Sequence, residues 1–329
     1  LVFRDLTARK GTEIRLWCLL VLPPWDGIFA SLVRPAASPP PHKHDPRPTG
    51  TLAMRSLMRK FIDKTVDKGF FWDLYQSIGK LTHQRSYIYR YAAKTRVEKK
   101  LIAGLFSDLK VKHGPFQGMR YMSAAAVGSL LLPKLLGSYE QELHPLFREI
   151  LAKDYSDVVD IGCAEGYYAV GLAMRMPKTQ VHAFDTDPKG QALCREMAEL
   201  NGVSGRVAVK GFLSAEDLKA MKFGGTALII SDCEGYEKQL FTQDVARSLA
   251  KHELLIEVHD VLDIEISGVL RENFAATHEI RSIESMDDLK KVRTLVFDEL
   301  SQCSKQEKLA ILAEKRGALM EWFYLTPKR

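Results

Sequence analysis

The stretch Val158-Val159-Asp160-Ile161-Gly162-Cys163-Ala164-Glu165-Gly166 runs from an apolar segment through an acidic residue into a tight glycine turn. The apolar run predicts a buried parallel strand, Gly162 and Gly166 permit a turn with close backbone approach, and Tyr167 to Arg175 has the composition of a following helix. A second apolar run, Gln180-Val181-His182-Ala183-Phe184, ends in Asp185, 19 residues beyond Gly166. An acidic side chain at the end of a second strand can accept the two hydroxyl hydrogens of a ribose. Two strand ends thus converge on one nucleoside.

The spacing discriminates between nucleotides. A phosphate loop needs Gly-Lys-Ser/Thr where the helix starts, and Gly166-Tyr167-Tyr168 stands there instead. The dinucleotide pattern Gly-x-Gly-x-x-Gly fails at its middle glycine, where the chain has Ala164.

What remains resembles motif I of class I S-adenosylmethionine-dependent methyltransferases. His182-Ala183-Phe184-Asp185-Thr186-Asp187-Pro188 is similar to the end of the second strand of that class, and Arg206-Val207-Ala208-Val209 to its third strand. The sharpest signal is Ser231-Asp232-Cys233-Glu234-Gly235-Tyr236-Glu237, which resembles the Asp-x-Glu-Gly-x-Glu sequence of FkbM-type methyltransferases. The likeness covers residues 155 to 265 well. It implies S-adenosyl-L-methionine as cofactor, contacted by Asp160, Gly162, Cys163, Ala164, Gly166, Asp185, Thr186, Phe212 and Asp232. It also implies O-methylation of a sugar, glycan precursor or other hydroxylated small molecule. The departures are Ala164 for a usual glycine and Asp185 where that family more often has Glu.

Alternating strand and helix patterns predict an α/β fold with a doubly wound, mostly parallel seven-stranded sheet, Rossmann-like, behind an N-terminal helical extension. Strands are expected near 157–161, 180–185, 206–210, 226–231, 253–259, 278–283 and 319–326. Helices are expected near 141–153, 167–176, 189–201, 214–221, 237–249 and 263–274. The aromatic run Met320 to Leu325 suits a last antiparallel strand inserted into the sheet, and residues 285–318 read as an insertion before it, helical near 305–315.

Chemistry is expected where strands four and five end, at Asp232-Cys233-Glu234 and Glu257-Val258-His259-Asp260, because open parallel sheets bind ligands at the carboxyl ends of their strands. His259 is the first candidate for the base that takes the acceptor proton, Asp232 is the second or its partner, and Glu234 completes the catalytic set. Glu234 and Glu237 with Asp232 and Asp260 also raise a divalent metal, but no dedicated ligand spacing is visible and none is expected.

The 329 residues, 46% hydrophobic, suffice for a sizeable core. A net charge of +6 is mild and interleaved along most of the chain, so nucleic acid is not the expected partner. Two readings stay open beside the leading one: an RNA methyltransferase and a non-catalytic cofactor-binding module. Against amino methylation of bases stands the lack of an Asn/Asp-Pro-Pro-aromatic sequence after strand four. Five cysteines, at 18, 163, 194, 233 and 303, form no Cys-x-x-Cys pair, which points to free thiols and a cytoplasmic protein.

Three regions follow. Residues 1–53, proline-rich and without a sustained period, read as disordered or as a non-native extension ahead of Met54. Their apolar stretch is broken by Pro23, Pro24 and Asp26, so no stable membrane insertion is expected. Residues 54–140 read as a helical segment ending in a substrate lid, and 141–329 as the methyltransferase domain. No oligomeric state follows from the sequence.

Overall fold

The computed structural model describes residues 96–122 and 129–328, together with Ser77, Gly79 and Thr82. The expectation for residues 1–53, and most of that for the helical segment starting at Met54, lies outside the described residues. A helix covers 96–105, and a single antiparallel bridge pairs Lys110 with Arg120.

The sheet has seven strands: β1 (Asp157–Ile161), β2 (Gln180–Phe184), β3 (Val207–Lys210), β4 (Ala227–Ser231), β5 (Glu253–Val258), β6 (His278–Glu284) and β7 (Glu321–Pro327). Their spatial order is β3-β2-β1-β4-β5-β7-β6. β7 runs antiparallel to both β5 and β6, and the other ladders are parallel. The expected doubly wound sheet with an inserted last strand is therefore the observed one.

Period-two alternation explains why the central strands read as unbroken apolar runs. Val158, Leu228, Ile230 and Leu255 face one core layer, while Val159, Ile229, Leu254 and Ile256 face the other. All eight are fully buried. With helices on both faces, neither side of these strands meets water, so both must be apolar.

The helices are α1 (Leu131–Leu136), α2 (His144–Leu151), α3 (Tyr167–Arg175), α4 (Pro188–Leu200), α5 (Ala215–Ala220), α6 (Glu237–Leu240), α7 (Gln243–Ser248), α8 (Ile266–Phe274), α9 (Asp288–Thr294) and α10 (Lys305–Leu312). Local chemistry sets several starts. The Asp187 side chain accepts from Lys189 N ahead of α4, Pro188 fits the first turn, and Ser304 with Glu307 forms a capping box on α10.

Two expectations need adjustment. The helix expected over 237–249 is two short ones, parted at Phe241, with the Thr242 side chain accepting from Val245 N to start the second. A buried Phe241 and the new cap together outweigh continuation of the first helix. The 285–318 insertion holds a helix beyond the one expected: α9, whose N-terminus is capped by Asp287.

Candidate functional site

The order of the sheet reverses between β1 and β4, and the carboxyl ends of β1, β2, β4 and β5 border one cavity of about 660 Å³. Such a switch point opens a crevice because the connections leave on opposite faces.

The turn after β1 shapes one wall. Gly162 N and Cys163 N both donate to Phe184 O (2.8 and 3.0 Å), Ala164 N to Asp185 Oδ2 (2.7 Å), and Gly166 N to Cys163 O (2.7 Å). These four N–H groups are thus used within the protein, so the turn is not a phosphate cradle of the P-loop kind. Gly162 has φ +85°, and a Cβ there would lie 1.7 Å from Asp232 O, so the close approach it permits is that of the β4 backbone. Ala164 takes φ +46°, a conformation that glycine adopts without strain. This is the position where the sequence departs from the usual glycine. Gly166 opens toward Cys194 Sγ and Val170 and packs α3 on α4 rather than lining the cavity.

Asp185 lines the cavity, with Oδ1 accepting from Asp187 N and Oδ2 from Ala164 N, both at 2.7 Å. Each oxygen keeps acceptor capacity for a ligand hydroxyl. Thr186, Cys163, Ala164 and Phe212 border the same cavity, and Phe212 lies tilted against Tyr236 with ring centroids 5.4 Å apart. Asp160 does not reach it. It is buried beneath the turn, its carboxyl accepts from the Ala169 backbone, its Oδ2 has no hydrogen-bond partner, and burial pushes its pKa up to about 7.

The opposite wall carries the acids and His259. Glu257 and His259 sit two apart at the end of β5 and so point to one side. His259 is buried, its Nδ1 lies 2.5 Å from Glu237 Oε1, and its Nε2 lies 3.4 Å from Asp232 Oδ1, 3.6 Å from Glu234 Oε2 and 4.0 Å from Glu257 Oε2. Burial opposes its charge, but the Glu237 bond and the charges of Glu237, Asp232 and Glu257 prevail and lift its pKa to about 9. Burial likewise raises Asp232 to about 6, against the pull of His259, and raises Glu257 to about 8 with repulsion from Asp232, against Arg316. Glu234 is mostly exposed at the rim and takes φ +51°. Asp260 turns away to accept from Ser267 N (2.8 Å).

Arg316, from the insertion, closes this wall. Its guanidinium bonds Glu257 Oε1, Glu140 Oε1 (2.7 Å) and Glu314 Oε2 (3.1 Å), and Glu314 is paired in turn with the buried Lys291. Ser129, Lys134 and Tyr139 also line the cavity; Lys134 Nζ lies 2.5 Å from Glu165 Oε1, both buried. Phe116, from the loop ahead of it, packs edge-on to Tyr167 and Phe147 in the core.

The geometry brings His259, Asp232, Glu234, Gly162, Cys163, Ala164, Asp185, Thr186 and Phe212 to one cavity, and leaves Asp160 and Gly166 behind its wall. Sequence reading assigned no role to Glu257, although its two-residue spacing from His259 is a usable signal. Arg316 and Lys134 carry no local signal.

Residues 144–230 match the family model of the methyltransferase small domain. The match spans the glycine turn and Asp185 and stops ahead of Asp232, so the segment resembling FkbM-type enzymes lies beyond it. No curated protein matches the chain. Among solved structures, an O-methyltransferase from Bacillus cereus in complex with SAH is 13% identical, covering 59% of this chain and 82% of that one, with a TM-score of 0.40. Precorrin-6y C5,15-methyltransferase from Geobacter metallireducens is 12% identical (56% and 88% covered, TM-score 0.39), and TrmN from Thermus thermophilus 15% (57% and 50%, 0.38). Likenesses this distant carry no information about the acceptor.

Among the described residues, no helix is long and apolar enough to cross a membrane. Cys163, Cys194, Cys233 and Cys303 are free.

Proposed function

We propose that the protein is an S-adenosylmethionine-dependent O-methyltransferase acting on a sugar, glycan precursor or other hydroxylated small molecule. One observation carries the reading: a single cavity is bordered by the glycine turn and Asp185 on one side and by Asp232 and His259 on the other. A nucleoside fits the first wall because Asp185 keeps acceptor capacity while the turn offers no cradle for phosphates. Asp185 would hold the ribose, with Thr186 and Phe212 beside the base. The cofactor supplies an electrophilic methyl group on a sulfonium.

The chain's own part is to place the acceptor oxygen and take its proton. At neutral pH His259 is charged and Asp232 is ionised, given pKa values of about 9 and 6. Asp232 is therefore the group we assign to receive the proton, with His259 as its positive partner, reversing the order suggested by residue type alone. The Glu237 bond to Nδ1 fixes the ring so that Nε2 faces the cavity side.

The deciding experiment incubates the full chain with a labelled methyl donor and a panel of sugar, lipid and RNA acceptors. Methyl transfer to a hydroxyl that falls about 10²–10⁴-fold in Asp232→Asn and in His259→Ala, with S-adenosylhomocysteine affinity retained, supports the assignment. No binding of S-adenosylhomocysteine by calorimetry would overturn it.

A further inference from the structure

We propose that the loop after β5 seats an apolar portion of the methyl acceptor, so that the acceptor is amphipathic: a hydroxylated head carried on an aliphatic or aromatic body. The inference rests on the methyl-transfer reading and narrows its substrate class. Val261, Leu262 and Ile264 are 54, 61 and 80% exposed, three large apolar side chains within four residues. Val261 and Leu262 line the cavity, as do Tyr236 after β4 and Met320 ahead of β7. Leu262 Cδ1 lies 3.2 Å from where a Cβ on Gly235 would stand, so this side chain leans across the turn that carries Tyr236. Exposed and lining the cavity at once, Val261 and Leu262 stand at its opening.

The loop holds its polar side chains in and its apolar ones out. Asp260 accepts from Ser267 N (2.8 Å), Asp263 from Glu265 N (3.1 Å), and Lys238 Nζ bonds both Asp263 and Glu265 (2.8 Å each). Leu262 N and Asp263 N donate to His259 O (2.8 and 3.2 Å), so the apolar strip begins one turn from the residue set against the acceptor hydroxyl. Polar groups thus fix the backbone and leave the apolar groups in water. A strip held in place in this way loses little freedom when it is covered, which favours a ligand that covers it. Its continuity with the cavity makes the acceptor itself the occupant. Asp260, Asp263 and Glu265 interleave with the apolar residues and keep the loop negative even with Lys238 counted, and an anionic bilayer would be repelled.

The test follows, by calorimetry on the full chain saturated with S-adenosylhomocysteine, the binding of methyl, butyl, hexyl and octyl β-D-glucosides, each below its micelle concentration. Affinity should rise about two- to fourfold for each added methylene that the strip covers. Val261→Ser combined with Leu262→Ser should weaken octyl glucoside about tenfold or more and flatten the dependence on chain length, with methyl glucoside unchanged. Ile264→Ser, outside the cavity lining, is a second variant expected to shift octyl glucoside in the same direction, and Leu289→Ser, exposed on α9, should change nothing. Melting curves identify any variant that fails to fold. Equal affinity along the series, or unchanged octyl glucoside binding in the double variant, overturns the proposal. So does either of two results obtained without chain-length dependence: co-sedimentation with phosphatidylcholine and phosphatidylglycerol vesicles, or a dimer in sedimentation velocity, each lost in the double variant. S-adenosylhomocysteine binding without chain-length dependence refutes the acceptor class alone. Absence of S-adenosylhomocysteine binding refutes the methyl-transfer reading, and the same series run without it still reads the strip.

Discussion

Replacing Gly162 with alanine tests how the β1 and β4 ends are joined. The new Cβ would stand 1.7 Å from Asp232 O and 2.8 Å from its carbonyl carbon. Ordinary contact, at about 3.5 Å, requires the two backbones to part by about 2 Å. Neither is free to do so, because Asp232 N donates to Ile161 O (2.9 Å) and Gly162 N to Phe184 O (2.8 Å). Alanine at φ +85° adds about 1–2 kcal/mol of backbone strain, and the forced separation about 1–3 kcal/mol more. Gly162→Ala should therefore lose about 2–5 kcal/mol in urea unfolding followed by circular dichroism. Ala164→Gly is the matched control: φ +46° relaxes on substitution, the added freedom of the unfolded chain offsets the gain, and stability should stay within about 0.5 kcal/mol. A Gly162→Ala midpoint equal to the parent's would refute the close approach.

Asp160→Asn should stabilise the protein above neutral pH. The native pKa of about 7 lies above the ordinary carboxylate value, so the folded state holds its proton longer and loses stability as pH rises from about 4 to about 7, by about 4 kcal/mol at most; urea midpoints measured from pH 5 to pH 8 should flatten in the variant. Asp185→Asn keeps one acceptor oxygen for Ala164 N but turns an amide NH2 toward Asp187 N, and should raise the S-adenosylhomocysteine dissociation constant about tenfold or more by calorimetry, beside a loss of about 1–2 kcal/mol in urea unfolding. Arg316→Gln leaves Glu140, Glu257 and Glu314 facing one another, and should cost about 3–5 kcal/mol in urea unfolding at pH 8, less at pH 6 where protons replace the lost cation.

The sheet was legible because its central strands are buried on both faces, which writes them as apolar runs that no surface helix would show. Their ends were legible for the same reason: each run stops at a polar residue, and those residues are Asp185, Asp232 and the Glu257–His259 pair. Gly162 announced a close approach but not its partner, since a sequence does not say whether a ligand or the β4 backbone comes near. Phe241 breaks a helix that composition would continue, because its burial depends on Phe274 in α8. The order we propose for Asp232 and His259 was not legible either, for it rests on Glu237, whose contact with Nδ1 raises the pKa of the ring.

The charge network explains why the least readable segment completes the site. Arg316 joins Glu140 ahead of α2, Glu257 on β5 and Glu314 at the end of the insertion, and Lys291 on α9 holds Glu314 from the other side. The side chains of Glu140, Glu257, Glu314 and Lys291 are buried and that of Arg316 is largely covered, so each costs desolvation energy that only its partners return, and a pair missing one member is worse than no pair. The wall of the cavity therefore forms as a unit, when the segment ahead of α2, the sheet and the insertion are all in place. Glu257 then has one oxygen held by Arg316 and the other directed toward His259. An exposed arginine could not impose that division, because water would screen it and leave the carboxylate free to turn. The insertion thus borders the cavity and fixes which oxygen of Glu257 faces His259.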